Sequence, residues 1–434
     1  MNRLMFSVLL VLALLAVRTA EGQPRLGGFF EYDNITYFEN ENRQKINGRN
    51  QVILQTDVRH DAGTMVNMFS SLEFRYDQAD PTRNRVFLDE AYVDLYLGSL
   101  DLRVGRQVYA WGRADLFNPT DNLTAWDYSD ILDTEAEKLG LVSARANYYV
   151  DNWSLEVVLA PSFSPSVWPG YDSRWWPELP AFIENPAYPQ QGSPRLKARY
   201  EFANEALPDE GLRSMQYALK LTGFLRGWDF SVSWFDGFDD LPALHLDTTF
   251  DSAFTSVLVE VEPRYHRRRA VGADAATTFG SLGVHGEAAY YLTEDWSGTD
   301  PAIDDPYLQY VIGADYTLTN VFPEKDLFLL VEWSQEVQVP DRNTVYRLTD
   351  LNHVFRKSLF AKADINLDEF SKVTVSGVYN IETEDWWLQS GANWSIADGL
   401  ELRANLDLLG GPDGSFFGGF KENKRLHVRL KYSF

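Results

Sequence analysis

No cysteine occurs among the 434 residues. That excludes a disulfide framework and a cysteine-linked lipid anchor, so stability must come from the fold itself. After residue 22 there is no run of about 18 to 20 apolar residues, which excludes a membrane-spanning helix from the rest of the chain. The six histidines, His60, His245, His266, His285, His353 and His427, are scattered without His-Glu-x-x-His spacing. There is also no P-loop, Gly-x-Ser-x-Gly elbow or zinc pattern. No catalytic residue, metal site or cofactor is therefore expected, and the chain is read as a non-enzyme. A barrel hydrolase stays open as a weaker alternative, because a barrel can assemble a triad from residues far apart in sequence. Positive charge is scarce, 39 Lys and Arg against 63 Asp and Glu for a net −24. This balance argues against nucleic acid or an anionic membrane surface as a partner.

Aromatics are plentiful, at 14% with 13 Trp. A barrel wall needs apolar residues only at every second position and places Trp and Tyr at both water–lipid interfaces. Residues 1–22 begin basic at Arg3, run apolar from Leu4 to Val17 and end in the small residues Ala20 and Gly22. This is the layout of a secretory signal peptide, which leaves residues 23–434 as one domain.

From residue 26 the dominant signal is period two. Val52, Leu54 and Val58 alternate with Gln55, Asp57 and Arg59; Leu359, Ala361, Ala363 and Ile365 alternate with Lys362, Asp364 and Asn366; Leu400, Leu402, Leu406 and Leu408 alternate with Glu401, Arg403, Asn405 and Asp407. Each such segment has one oily and one charged face. Their length, about ten residues, suits a tilted membrane-crossing strand better than a sandwich strand of about five or six. Short turns near Gly63, Gly98, Asp151, Gly227, Gly280, Asn320, Asp368 and Gly399 alternate with long connections. All the short turns share one side if residues 195–206 sit inside a long outer loop and 255–279 form a single strand. That arrangement predicts an all-β transmembrane antiparallel barrel of about eighteen strands, with sixteen or twenty as alternatives.

Charged residues on the polar phase must point inward, because a charge facing lipid near the midplane costs about 2–4 kcal/mol. The pore-lining candidates are Asp57, Arg59, Glu73, Arg75, Glu90, Asp94, Arg103, Arg145, Lys220, Glu332, Lys362, Asp364, Glu401 and Arg403. Two long connections, 110–138 and 161–212, carry Trp111, Trp126, Trp168, Trp175 and Trp176 among prolines. They are expected to fold over the mouth or into the lumen. The one basic cluster, Pro263 to Arg269, is expected to pair with acidic loops such as Asp236–Asp240, or else to form an anion-attracting rung.

The last nine residues, Leu426 to Phe434, alternate once more and end on an aromatic. They resemble the signal by which the barrel-assembly machinery of Gram-negative bacteria recognises its substrates. The stretches Gly105-Arg-Gln-Val-Tyr-Ala-Trp-Gly112, Asn118-Pro-Thr-Asp-Asn122, Phe235 to Pro242 and Tyr265 to Asp274 resemble a largely uncharacterised family of porin-like outer-membrane barrels. The resemblance implies an outer-membrane location in a Gram-negative bacterium and names no functional residue. The reading at this stage is a channel for passive diffusion of small solutes, with selectivity set by the polar lumen and the Trp-rich loops. The alternative is a binding or assembly component with a plugged lumen. Partners would be outer-membrane lipid, the assembly machinery and an unidentified solute, with homo-oligomerisation left open.

Overall fold

The computed structural model describes residues 23–39, 48–133, 138–170, 173–176, 179–184, 195–209, 211–253, 255–300, 302–322, 325–339 and 351–434. The expected signal peptide, residues 1–22, lies outside them, as do parts of the 161–212 connection. The first strands in chain order are β1 (Arg25–Tyr37), β2 (Gly48–Ala62), β3 (Val66–Asp77), β4 (Arg85–Leu97), β5 (Leu100–Gln107), β6 (Ala125–Trp126), β7 (Lys138–Leu139) and β8 (Leu141–Val150). Then come β9 (Trp153–Ala160), β10 (Phe182–Glu184), β11 (Arg195–Phe202), β12 (Gln216–Leu225), β13 (Trp228–Phe238), β14 (Ala243–Phe250), β15 (Ser256–Arg264) and β16 (Arg267–Phe279). The last are β17 (Leu282–Leu292), β18 (Tyr307–Phe322), β19 (Lys325–Gln338), β20 (Lys357–Asn366), β21 (Ser371–Asn380), β22 (Asp385–Ala397), β23 (Leu400–Gly410) and β24 (Arg425–Ser433).

Eighteen of these strands form one antiparallel sheet that closes on itself. Closure is the pairing of β1 with β24, in register from Phe29 opposite Ser433 to Tyr37 opposite Arg425. No edge of the cylinder is left to offer unpaired backbone groups, which is what a lipid environment demands. Gly28 shows how closely β1 lies against β2: its φ is +146°, and a Cβ there would lie 2.1 Å from the carbonyl oxygen of Gln55. Only glycine fits at that point.

The short turns fall at one end, and many contain residues in the left-handed region, among them Gly63, Gly98, Asp151, Gly227, Gly280, Asn320 and Gly399. Tight hairpins need such conformations. On the outer wall Trp153, Trp228, Phe279, Tyr316, Trp394 and Tyr432 are exposed near this end, and Tyr32, Tyr76, Tyr217, Tyr379 and Trp386 near the other. Exposed aliphatic residues such as Val232, Val271, Ile312 and Val331 lie between the two groups. Two aromatic girdles around an apolar band is the surface of a barrel wall that meets lipid.

The remaining six strands are not part of the cylinder's wall. Strands β6 and β7 form a two-stranded ribbon, and β10, β11, β15 and β14 form a separate four-stranded sheet. Residues 195–206 are thus no membrane span, as the parity of the turns requires. The single strand expected over 255–279 is corrected. It is two strands, β15 in the outer sheet and β16 in the wall, separated at Tyr265 and His266. Pro263 lacks an amide hydrogen and is barred from a central ladder; it sits near the end of β15, close to the break.

Side chains on the lumen face divide into two levels. Toward the short turns, Asp57, Arg103, Arg145, Lys220, Lys362, Asp364 and Arg403 are half-buried and Arg59 and Glu401 are exposed. Toward the long loops, Glu73, Gln107, Ser143, Val158, Ala160, Ala218, Glu332, Ser334, Asp407 and Arg425 are buried. The connection between β5 and β8 fills the second level.

Candidate functional site

The two ends of this inward connection, described over residues 108–133 and 138–140, are tied to each other and to β8 and β9 of the wall. The Tyr109 amide donates to Thr124 Oγ1 at 2.9 Å, the Tyr109 hydroxyl meets Ser143 Oγ at 2.8 Å, and Lys138 Nζ donates to the Tyr109 carbonyl at 3.1 Å. Trp111 donates its indole N–H to Glu156 at 2.9 Å, with the Lys220 ammonium 5.4 Å from its ring centroid. Gly112 then turns the chain at φ +96°, where a Cβ would overlap Asn118. Asn118 Oδ1 accepts the Ala114 amide at 3.0 Å and closes the turn.

Beyond that turn the backbone lies against wall carboxylates. Glu287 accepts the Arg113 amide at 3.0 Å and the Thr120 hydroxyl at 3.1 Å. Glu332 accepts the amides of Asp115 and Leu116, one at each oxygen, both at 2.8 Å, and its Oε1 also meets His285 Nε2 at 2.8 Å. The Arg113 side chain pairs with Asp274, and Lys362 reaches Asp115 at 3.1 Å. Strands β13 and β16 to β19 place Asp229, Asp274, Glu287, Asp315 and Glu332 on the lumen phase within the wall, so this arc is acidic.

The second half of the connection reverses the chemistry. Asp127 accepts from Arg75 at 3.1 Å and Arg85 at 3.4 Å; Asp130 accepts from Arg425 at 2.6 Å, with Arg49 at 3.6 Å; Asp133 faces Arg429 at 3.4 Å. These arginines stand on β2, β3, β4 and β24, where they also pair with the wall carboxylates Asp77, Glu73, Asp407 and Asp33. One loop is thus held by carboxylates on one side of the lumen and by guanidinium groups on another. Buried charge-assisted bonds of this kind are strong individually and costly to leave half-made.

A second inward segment locks onto the first. The Tyr128 amide donates to the Val167 carbonyl and the Val167 amide to the Trp126 carbonyl, both at 2.8 Å. Arg174 Nε donates to Asn423 Oδ1 at 3.0 Å, and the Trp175 ring stands 5.6 Å from Phe420. Trp176 packs edge-on against Phe202 at 5.6 Å and lies 6.2 Å from Trp168. Trp111, Trp175 and Trp176 are buried, while Trp126 and Trp168 are half-buried. Most of this aromatic surface is spent holding the loops in place.

The fourteen charged candidates therefore separate. Glu73, Arg75, Asp94 and Glu332 are buried in ion pairs or hydrogen bonds. Glu90 accepts the Val108 amide at 2.8 Å where the loop begins. Asp57, Arg59, Arg103, Arg145, Lys220, Lys362, Asp364, Glu401 and Arg403 lie on the lumen phase in the more accessible half. Within it Arg103 pairs with Asp94 at 2.6 Å while its guanidinium stacks on Tyr92 at 3.7 Å, and Lys372 pairs with Asp364 at 2.7 Å. Sequence reading missed the partners that lie off the strands: Asp127, Asp130, Asp133 and the amides of residues 113, 115 and 116. Their only local signal is the three-residue spacing of the aspartates. In the basic cluster, Arg267 and Arg269 pair with Asp236 at 2.6 and 3.0 Å and Arg268 with Asp239 at 2.7 Å.

No curated protein matches this sequence. Among solved structures the chain is similar to one described as "Asymmetric conductivity of engineered proteins", at 12% identity and a TM-score of 0.44, with 95% of this chain and 100% of that chain covered. It is also similar to a triple mutant of the porin of Rhodopseudomonas blastica, at 11% identity and a TM-score of 0.44 over the same shares. A family described as proteins of unknown function, DUF1302, matches residues 19–335, and the chain belongs to that family.

Proposed function

We propose that this protein is an outer-membrane channel for small polar solutes whose outer half is closed by the 108–140 loop and opened when that loop is released. An eighteen-stranded cylinder is too wide for wall side chains alone to fill, and barrels of this girth enclose aqueous channels. The lumen toward the short turns is lined by accessible charged side chains, as a water-filled conduit requires. The observation that carries the reading is the double attachment of one loop to opposite charges, at Glu287 and Glu332 on one arc and at Arg75 and Arg425 on the other. Water and permeating ions compete directly for such contacts. Buried tryptophans anchor the loops, so the charged wall selects and the loop gates.

Single-channel recording in planar bilayers tests this. The full chain should show low or intermittent conductance, and a variant with residues 113–133 replaced by a short Gly-Ser linker should show a large steady one. A folded, heat-modifiable variant without conductance would sink the channel. The outer sheet of β10, β11, β15 and β14 favours a second reading, a surface-binding component with a permanently filled lumen. On that reading loop replacement leaves the bilayer silent.

A further inference from the structure

Outside the lumen, three segments meet at one imidazole. His266 occupies the break between β15 and β16, His245 stands on β14, and Glu294 follows β17. The Nε2 atoms of His245 and His266 face each other at 2.8 Å, and His266 Nδ1 meets Glu294 Oε2 at 2.9 Å. A carboxylate only accepts, so Glu294 holds the His266 proton on Nδ1 and leaves the Nε2 lone pair aimed at His245. The register places Glu262 directly across from His245, and Asp300 lies close enough to act on the same ring.

We propose that His245 and His266 form an extracellular site for a divalent transition-metal ion of the zinc or copper class, with Glu294 as the positioning residue. Imidazole nitrogen suits these ions, and a ligating histidine commonly gives its other N–H to a carboxylate, as His266 does. Two nitrogens bound to a tetrahedral zinc at about 2.0–2.1 Å lie about 3.3 Å apart. Seating the ion therefore needs the rings to part by roughly half an ångström, a small rotation of two half-buried side chains. The bridging proton on His245 Nε2 moves to its Nδ1, so both rings bind as neutral ligands. Among the described residues no three His, Cys, Asp or Glu side chains gather into a metal-holding group, so water completes the coordination of the two imidazoles. Bound metal would clamp β14, the β15–β16 break and the loop after β17 together.

The test is calorimetric titration of zinc chloride into untagged, chelator-stripped, full-length protein in detergent. One zinc per chain is expected, with affinity falling by at least about tenfold in His245→Ala and in His266→Ala and by about tenfold in Glu294→Gln. X-ray absorption of the loaded protein should show two imidazoles on the metal. His245→Gln, which keeps the side chain's bulk, guards against packing loss, and heat-modifiability verifies that each barrel is folded. The inference is overturned if the unmodified protein takes up no zinc, or if the folded His245→Ala/His266→Ala double variant binds it as tightly.

Discussion

Asp130 and Arg425 are 295 residues apart and bonded at 2.6 Å. Arg425 is also bonded to Asp407 at 2.8 Å and is fully buried, so one guanidinium joins the inward loop to two strands of the wall. The partners are not equivalent. Arg425→Leu takes the nearest cation from two buried carboxylates, leaving Asp130 with Arg49 at 3.6 Å and Asp407 with the N–H groups of Trp387 and Gln389, and should cost about 3–5 kcal/mol. Asp130→Asn leaves Arg425 paired with Asp407 and should cost about 1–3 kcal/mol, spent on loop attachment. Urea unfolding in lipid vesicles measures both costs. Single-channel recording should find longer open times for Asp130→Asn, and unchanged gating would mean that this contact is not a latch.

Glu332 makes the matching attachment on the acidic arc. Glu332→Gln replaces one acceptor oxygen with an N–H₂ group that cannot accept from the Leu116 amide, so one of two 2.8 Å bonds is lost. Both this change and Asp130→Asn loosen a single segment, and residues that share a partner couple. The double variant should open more often than the sum of the single changes predicts. Strict additivity would mean that the two ends of the loop move independently.

The wall was readable because each crossing strand repeats a local rule, apolar then polar, over about ten residues, a rule set by lipid on one side and water on the other. The same rule misled at 255–279. Val257, Val259 and Val261 alternate as a wall strand does, but they pack the outer sheet, and Tyr265-His266 carries no glycine or turn pair to mark the break. The loop attachments obey no local rule at all. Asp115 meets Glu332 across 217 residues, and such pairs exist only once the cylinder has closed. Alternation assigns the wall charges to one face of each strand and carries no information on whether each meets water or a loop.

Val331 and Glu332 are chain neighbours on opposite sides of the wall, 49% exposed and fully buried respectively. Val331 lies mid-strand in β19, where Val331→Arg should destabilise by about 2–4 kcal/mol. Leu402, near the short-turn end of β23, should tolerate arginine at about 0–1 kcal/mol, because the cost fades toward the interface. Comparing the two by unfolding in vesicles checks where the hydrocarbon lies. Equal costs would mean that the apolar band is placed wrongly along the barrel axis.

Asp240 links the outer loops: its backbone carbonyl accepts the Ser166 amide at 2.9 Å, its side chain accepts the Ser166 hydroxyl, and Arg268 lies at 3.7 Å. Burial, reinforced by neighbouring Asp239, pushes its carboxyl up from 3.8 to about 6, against the pull of Arg268. A carboxyl raised in the folded state holds its proton more tightly there than in the unfolded chain. Its contribution is therefore complete below the unfolded value and fades as pH climbs through about 6. Thermal midpoints followed by heat-modifiability from pH 4 to 8 should fall more steeply for the native chain than for Asp240→Asn, whose amide cannot titrate. Parallel curves would assign the pH dependence to other groups, and the contact between residues 166 and 240 would then have no part in holding the outer loops as acidity changes.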